Sequence, residues 1–275
     1  MKKLKKLFGE TIVSWKFVIL FAVVTGVYTG LILLVPFLKD TSFQEIGVSF
    51  QSWILFAVFL IVNCRTWKES SAKCFVFFLI SQPLVYLVQV PFHSMGWGLF
   101  GYYPYWAMFT VLTIPGAAVA FLVKKKNRLS VAVLSVATCF LVYLGTYYAR
   151  RTLFRPPHYL LSALFCFALA VFFIFVLLDE KKHRLAALGI LAAALLISVL
   201  LSGSIRTELT LPAGDWTYTM EDASVASVKL DADGHATVTA KHDGSTCLVF
   251  RAPDGTELEY YVTVSGGSPW VDLLD

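Results

Sequence analysis

The sequence predicts an α-helical polytopic membrane protein of seven transmembrane helices followed by a small all-β sandwich. Three observations carry that reading. Hydrophobic residues make up 57% of the 275 positions and charged residues only 15%, with a mean hydropathy of +0.70. So few charges cannot cover a soluble globule of this length, so the excess apolar surface is assigned to lipid. Seven stretches contain no Asp, Glu, Lys or Arg, and from Ile205 the texture changes to short alternating runs punctuated by turn residues. Disorder is excluded as well, because 23 Phe, 12 Tyr and 7 Trp leave no shortage of groups to bury. The predicted organisation is a membrane domain over residues 1–204 and a β-domain over 205–275.

The charge-free stretches are Phe17 to Leu38, Val48 to Cys64, Cys74 to His93, Pro104 to Val123, Leu129 to Ala149, Tyr159 to Leu178 and Leu185 to Ser204. At a rise of ~1.5 Å per residue, about 20 residues cross a hydrocarbon core of about 30 Å. A helix satisfies its own backbone groups where lipid cannot, so each run reads as a spanning helix, the 17-residue second run being the shortest case. The lysines at 2, 3, 5 and 6 resemble the basic region of a signal peptide. The following run is too long for one, and Thr25 to Pro36 offers no small-x-small cleavage site, so an uncleaved first span is expected.

Loop charges set the orientation. With the N-terminus cytoplasmic, the inner segments hold Lys2, Lys3, Lys5, Lys6, Lys16, Arg65, Lys68, Lys73, Lys124, Lys125, Lys126, Arg128, Lys181, Lys182 and Arg184. The outer ones hold only Lys39, Arg150, Arg151 and Arg155. The positive-inside rule selects this topology and an outer C-terminus. Dropping the second span would place Lys124 to Arg128 outside, so that span is retained. The lysine runs read as anchors beside anionic lipid, and no nucleic-acid partner is expected.

Beyond Ile205, Trp216 to Met220, Ser224 to Leu230, Ala236 to Ala240, Thr246 to Ala252 and Glu257 to Ser265 read as strands, with Glu208 to Leu211 as a candidate first strand. Asp231-Ala-Asp-Gly234, Asp243-Gly244 and Pro253-Asp-Gly255 supply turns between them. Val225-Ala-Ser-Val228, Asp233-Gly234, Val238-Thr-Ala240, Gly244 and Val262-Thr-Val264 together give residues 222–265 a resemblance to a bacterial immunoglobulin-like domain of group 2. The resemblance covers about a quarter of the chain and implies an immunoglobulin-like sandwich used as a surface binding, structural or spacer module, without catalysis. The membrane half resembles multi-pass proteins of Gram-positive bacteria, a likeness that carries no function. Together they imply a bacterial cell-membrane location.

The strongest candidate site is the loop between spans 5 and 6, where Arg150, Arg151 and Arg155 sit on the side the charge rule depletes. Arginine forms planar, bidentate pairs with carboxylate or phosphate, so an anionic partner is expected. The candidates are the β-domain itself, an anionic lipid headgroup, or an anionic ligand or cell-wall polymer. Residues 204–275 carry 12 acidic against 4 basic side chains, a net charge of −8, whereas residues 1–203 carry 6 acidic against 19 basic. Many aromatic residues fall near the outer ends of spans 3 to 6. They read either as an interfacial belt or as an outward pocket lined by Trp97, Tyr102, Tyr103, Tyr105, Tyr147 and Tyr148 with His93 and His158.

Other chemistry is sparse. The five cysteines form no CxxC pair, and Cys247 reads as core; two histidines without a carboxylate make no metal case, so neither a metal nor a cofactor is expected. The charge-free runs lack the ionisable groups of a proton-driven carrier and the paired acids of an intramembrane protease. Gln82-Pro83, Gln89 and Pro115-Gly116 could break helices at depth, and Gly26-x-x-x-Gly30 reads as close helix packing. The sequence therefore predicts a non-catalytic membrane protein presenting an outward binding or interaction module to a protein or a cell-wall polymer. The alternative is a small-molecule carrier, or a membrane subunit of a transport complex, with the β-domain as a lid.

Overall fold

The computed structural model describes residues 2–9, 11–154, 159–201, 205–212, 214–231 and 233–274. Nine α-helices among them are α1 (Lys2–Leu7), α2 (Trp15–Leu34), α3 (Ser42–Val48), α4 (Phe50–Val62), α5 (Trp67–Gln89), α6 (Tyr103–Ala120), α7 (Arg128–Phe154), α8 (Leu160–Leu177) and α9 (Lys181–Leu200). Seven helical segments are long and apolar enough to cross a membrane, as the composition predicts. The chain forms two compact units: residues 1–145 with 161–196, and residues 146–160 with 197–275. The second unit thus takes in the end of α7 and the chain that follows it, which the sequence-based boundary at 204/205 assigned to the membrane domain.

In the first unit, α2 lies close against α5. A Cβ at Gly26 would stand 2.6 Å from the Ser81 carbonyl oxygen, and one at Gly30 would stand 2.8 Å from the Val88 Cβ. Only glycine lets the backbones approach so closely, the use expected for the Gly26-x-x-x-Gly30 spacing. Leu134 and Leu141 of α7 share a buried cluster with Leu169, Phe173 and Ile174 of α8. Asn63, at the end of α4, uses its whole amide: Oδ1 accepts from the Gly9 and Thr11 amides at 2.9 and 3.2 Å, and Nδ2 donates to the Leu7 and Phe59 carbonyls at 2.8 and 2.9 Å. The segment after α1 is thereby tied to the end of α4.

The second span differs from expectation in a physically informative way. It runs over Ser42–Val62 as two helices, α3 and α4, joined at the extended residue Ser49. A helix end leaves its last carbonyls without intrahelical partners. Here local groups take them up. The Glu45 carbonyl accepts from the Ser49 and Gln51 nitrogens, Ile46 from the Ser52 hydroxyl, Gly47 from the Thr29 hydroxyl at 3.2 Å and Val48 from the Trp53 indole at 2.8 Å. The Glu45 carboxylate accepts from the Ser49 hydroxyl at 2.6 Å.

The third span also begins earlier than its charge-free run. Thr66 caps α5 by accepting the Glu69 amide at 3.1 Å, and Glu69 accepts the Arg65 amide at 2.7 Å. Lys73 is buried, bonded to Glu69 and the Val13 carbonyl, with its ammonium 5.6 Å from the Trp15 ring centroid. The helices thus extend beyond the charge-free runs, and there Glu45, Glu69 and Lys73 each have a partner that keeps them tolerable near an apolar segment.

Among the described residues of the second unit, seven strands are β1 (Arg206–Thr210), β2 (Thr217–Met220), β3 (Ala226–Leu230), β4 (His235–Ala240), β5 (Gly244–Arg251), β6 (Glu257–Ser265) and β7 (Ser268–Leu273). They form two antiparallel sheets, ordered β1-β4-β3 and β2-β5-β6-β7. Val228, Ala236 and Val238 from one sheet and Leu248, Phe250, Val262 and Val264 from the other close a single core. The last strand, β7, has no counterpart in the sequence reading. Gly266 and Gly267, at φ 58° and 77°, supply the two left-handed residues of the turn that folds it onto β6. Cys247 corrects another expectation: Thr246, Leu248 and Phe250 point inward, and Cys247 is half-buried on the opposite face across from Tyr261.

Candidate functional site

The second unit contains the most charged meeting point of the predicted site residues. Arg150 and Arg151 lie in the last two turns of α7, on side chains long enough to reach the turns of the β-domain. Arg151 Nε approaches Asp243 Oδ2 at 3.3 Å, and its guanidinium lies 4.4 Å from the Tyr159 ring centroid and 5.7 Å from that of Tyr147. Its Nη1 also reaches the Tyr147 hydroxyl at 3.3 Å. A cation over one ring that at the same time hydrogen-bonds a carboxylate and a tyrosine hydroxyl through separate nitrogens is an arrangement suited to arginine. Tyr148, buried, stacks on Tyr159 with centroids 6.2 Å apart.

Asp243 sits in the connection between β4 and β5. Its other oxygen, Oδ1, accepts the Gly267 amide at 3.3 Å. Arg150 Nη2 donates to the Gly267 carbonyl at 3.4 Å and to Ser268 Oγ at 3.3 Å. The end of α7, the β4–β5 connection and the β6–β7 turn are therefore laced together by two arginines and one carboxylate. Arg155 and His158 lie outside the described residues.

Of the predicted aromatic residues of the first unit, Trp97 and Tyr103 gather around Phe100. Trp97 stacks on Phe100 at 5.8 Å, and Tyr103 meets Phe100 and Tyr86 at 6.3 and 6.4 Å. Tyr102 and Tyr105 are exposed, and His93 Nδ1 accepts the Met95 amide at 3.2 Å. Tyr147 and Tyr148 pack edge to face at 5.5 Å in the second unit. Among the described residues, no group of three His, Cys, Asp or Glu converges as a metal site would require.

Two features escaped the sequence reading. The first is a cavity of about 250 Å³ between α4, α5 and α6, lined by Trp106 from the outer span ends but by none of the eight residues of the expected outward pocket. Trp53, Phe78, Trp106 and Phe109 give it apolar walls, and Gln82, Thr110 and Thr113 are its polar contributors. Gln82 and Gly116 mark the two proline-adjacent positions as one place, since α5 and α6 stay helical through Pro83 and Pro115. The second feature is the outward face of the β2-β5-β6-β7 sheet. There Trp270 is 68% exposed beside the half-exposed Tyr261, with Asp272 paired across from Tyr261. Comparison of the chain with protein-family models, with curated proteins and with solved structures finds no match, so its own residues carry the functional argument.

Proposed function

We propose that the protein is a non-catalytic, multi-pass protein of a bacterial cell membrane that presents its C-terminal β-domain, an immunoglobulin-like sandwich of group 2 type, as an extracytoplasmic binding or interaction module. The observation that carries this reading is the lacing of Arg150 and Arg151 to Asp243, Gly267 and Ser268. It gives the outer arginines, out of place by the charge rule, a partner within the same compact unit. Of the three anionic candidates raised by the sequence, the β-domain is supported by the carboxylate of Asp243 beside Arg151. A domain fastened at its base is presented rather than left swinging on a linker, and Trp270 and Tyr261 on the outward sheet face are the residue types that anchor protein or polymer contacts.

Two further features favour presentation over carriage. The carbonyls freed at the α3–α4 break are taken by protein groups, where a carrier uses such carbonyls for its cargo. The cavity between α4, α5 and α6 has apolar walls unsuited to a polar solute.

The test uses intact cells and the full chain. Protease added outside should remove the β-domain, and protection from it would overturn the orientation. The double variant Arg150→Glu, Arg151→Glu should be cut about ten-fold faster than the parent, as expected when an opening equilibrium shifts by about 1.4 kcal/mol. An unchanged rate would reject the fastening role.

A further inference from the structure

The cavity in the helical unit has a buried floor and an open rim. Trp53, Cys74, Thr110 and Ala117 are buried, whereas Phe50 and Phe109 at the edge are 38% and 45% exposed. Gln82 of α5 belongs to the floor at 5% exposure, and its side-chain amide has no hydrogen-bond partner among the described residues. The neighbouring polar groups are already committed: the Thr110 hydroxyl donates to the Trp106 carbonyl at 2.9 Å and the Thr113 hydroxyl to the Thr110 carbonyl at 2.6 Å. Gln89, the other glutamine of this helix, likewise donates to the Val85 carbonyl at 2.7 Å. Gln82 alone among these brings an uncommitted donor and acceptor to the cavity.

An amide at that depth has three ordinary uses. As filler, Leu or Met would occupy the same volume without burying polar atoms in a medium that offers them nothing. As glue between helices, it would hydrogen-bond across to α4 or α6, and it does not. The remaining use is to receive an occupant. Two other features fit that use. Pro83, directly after Gln82, has no N–H, so the ring interrupts the α5 ladder at the same level. Gly116 of α6 leaves open space where a Cβ would stand, so this wall is held back from the cavity.

We propose that this cavity is a binding site for a lipophilic molecule carrying a single hydrogen-bonding oxygen, a hydroxyl or carbonyl, on an apolar chain or ring, with Gln82 as its polar contact. The size suits such a ligand: an apolar cavity of about 150 Å³ already takes up benzene, and this one is larger. The aromatic walls accept hydrocarbon, and the exposed rim residues give a route from the surrounding lipid. Ordinary phospholipid is a poor occupant. Gln82 lies seven residues before the end of α5, about 10 Å along the helix, where a phospholipid offers methylenes and keeps its oxygens at the interface.

The experiment is photoaffinity labelling of the full chain in vesicles with three diazirine probes: a long-chain alcohol, the matched alkane, and a phosphatidylcholine with the diazirine in its acyl chain. The alcohol should label peptides of α4, α5 and α6 saturably and be displaced by unlabelled alcohol but not by phosphatidylcholine. Gln82→Leu should weaken labelling by the alcohol about ten-fold, the worth of one hydrogen bond, and leave the alkane unchanged. Gly116→Phe should abolish labelling by both. Gln82→Met is the second variant, used if Gln82→Leu does not fold. If alcohol and alkane label alike, if neither Gln82 variant changes the alcohol, or if phosphatidylcholine competes equally, the cavity is a lipid-filled crevice and the proposal is overturned. None of these outcomes depends on the role of the β-domain.

Discussion

Arg151 and Asp243 meet at 3.3 Å although 92 residues separate them in the sequence. The pair is half-buried, and the Tyr159 ring supports the guanidinium from one face. Asp243 simultaneously holds the Gly267 amide, so a single carboxylate orients both the helix end and the last turn of the β-domain. Hydrogen bonds to a charged group are roughly twice as strong as neutral ones, and partial burial limits screening by salt.

Asp243→Asn keeps the shape and removes the charge. It should destabilise the β-containing unit by about 1–2 kcal/mol. Arg151→Lys should cost nearly as much, because an ammonium keeps the charge but loses the guanidinium's place over the Tyr159 ring and its separate nitrogens for Asp243 and Tyr147. Protease half-lives of the full chain at increasing temperature measure both, and parental resistance in Arg151→Lys would count against the stacking.

Gly26→Ala should disturb the contact between α2 and α5. The added methyl would fall within van der Waals overlap of the Ser81 carbonyl, a backbone atom that cannot swing aside. Overpacking of this kind costs about 1–3 kcal/mol. Gly116→Ala is the control: nothing stands near its Cβ, so thermal unfolding in detergent should drop for the first variant and hold for the second.

Ser52→Ala tests the break between α3 and α4. Removing the hydroxyl leaves the Ile46 carbonyl without the group that takes it up at the helix end. An orphaned buried acceptor costs about 1–3 kcal/mol, whereas Ser52→Thr retains the hydroxyl and should unfold near the parental temperature.

Acid should weaken the β-domain through its Asx turns. The Ser224 side chain and amide hold the Asp222 carboxyl below its usual range, and the Thr256 amide and side chain do the same for Asp254. A carboxyl depressed in the folded state contributes stability above its unfolded value and loses it as pH falls through the folded one. The double variant Asp222→Asn, Asp254→Asn should therefore show a flatter decline in unfolding temperature between about pH 5 and about pH 2 than the parent. Parallel curves would show that these turns do not couple to folding.

The helical half was legible because charge exclusion over some 20 residues has one physical solution in lipid. What escaped were the places where polar groups cancel one another. Glu45, three residues before the charge-free run that starts at Val48, reads as an outer-loop residue, because its bond from Ser49 cannot be seen in sequence. Lys73 looked like a loop residue for the same reason, its partner Glu69 being a turn away on a helix whose start had not been placed. The strand Ser268–Leu273 was missed although Gly266-Gly267 between alternating runs is a hairpin signal. Arg150 and Arg151 stood out by the charge rule, but Asp243 read only as a turn residue. The cavity was invisible, since Gln82, Thr110 and Trp53 meet only through the packing of three helices.

The β6–β7 turn carries one more implication, for the order of assembly. Arg150 reaches Ser268 across 118 residues, a span that includes α8, α9 and every earlier strand. Contacts of such separation carry the largest loop-closure cost and form late, and domains made first in synthesis fold first. The contacts of Arg150 with this turn therefore wait until the two glycines have folded β7 back onto β6. A chain that lacks β7 thus leaves Arg150 without its Gly267 and Ser268 contacts, while Arg151 keeps the Tyr147 and Tyr159 rings.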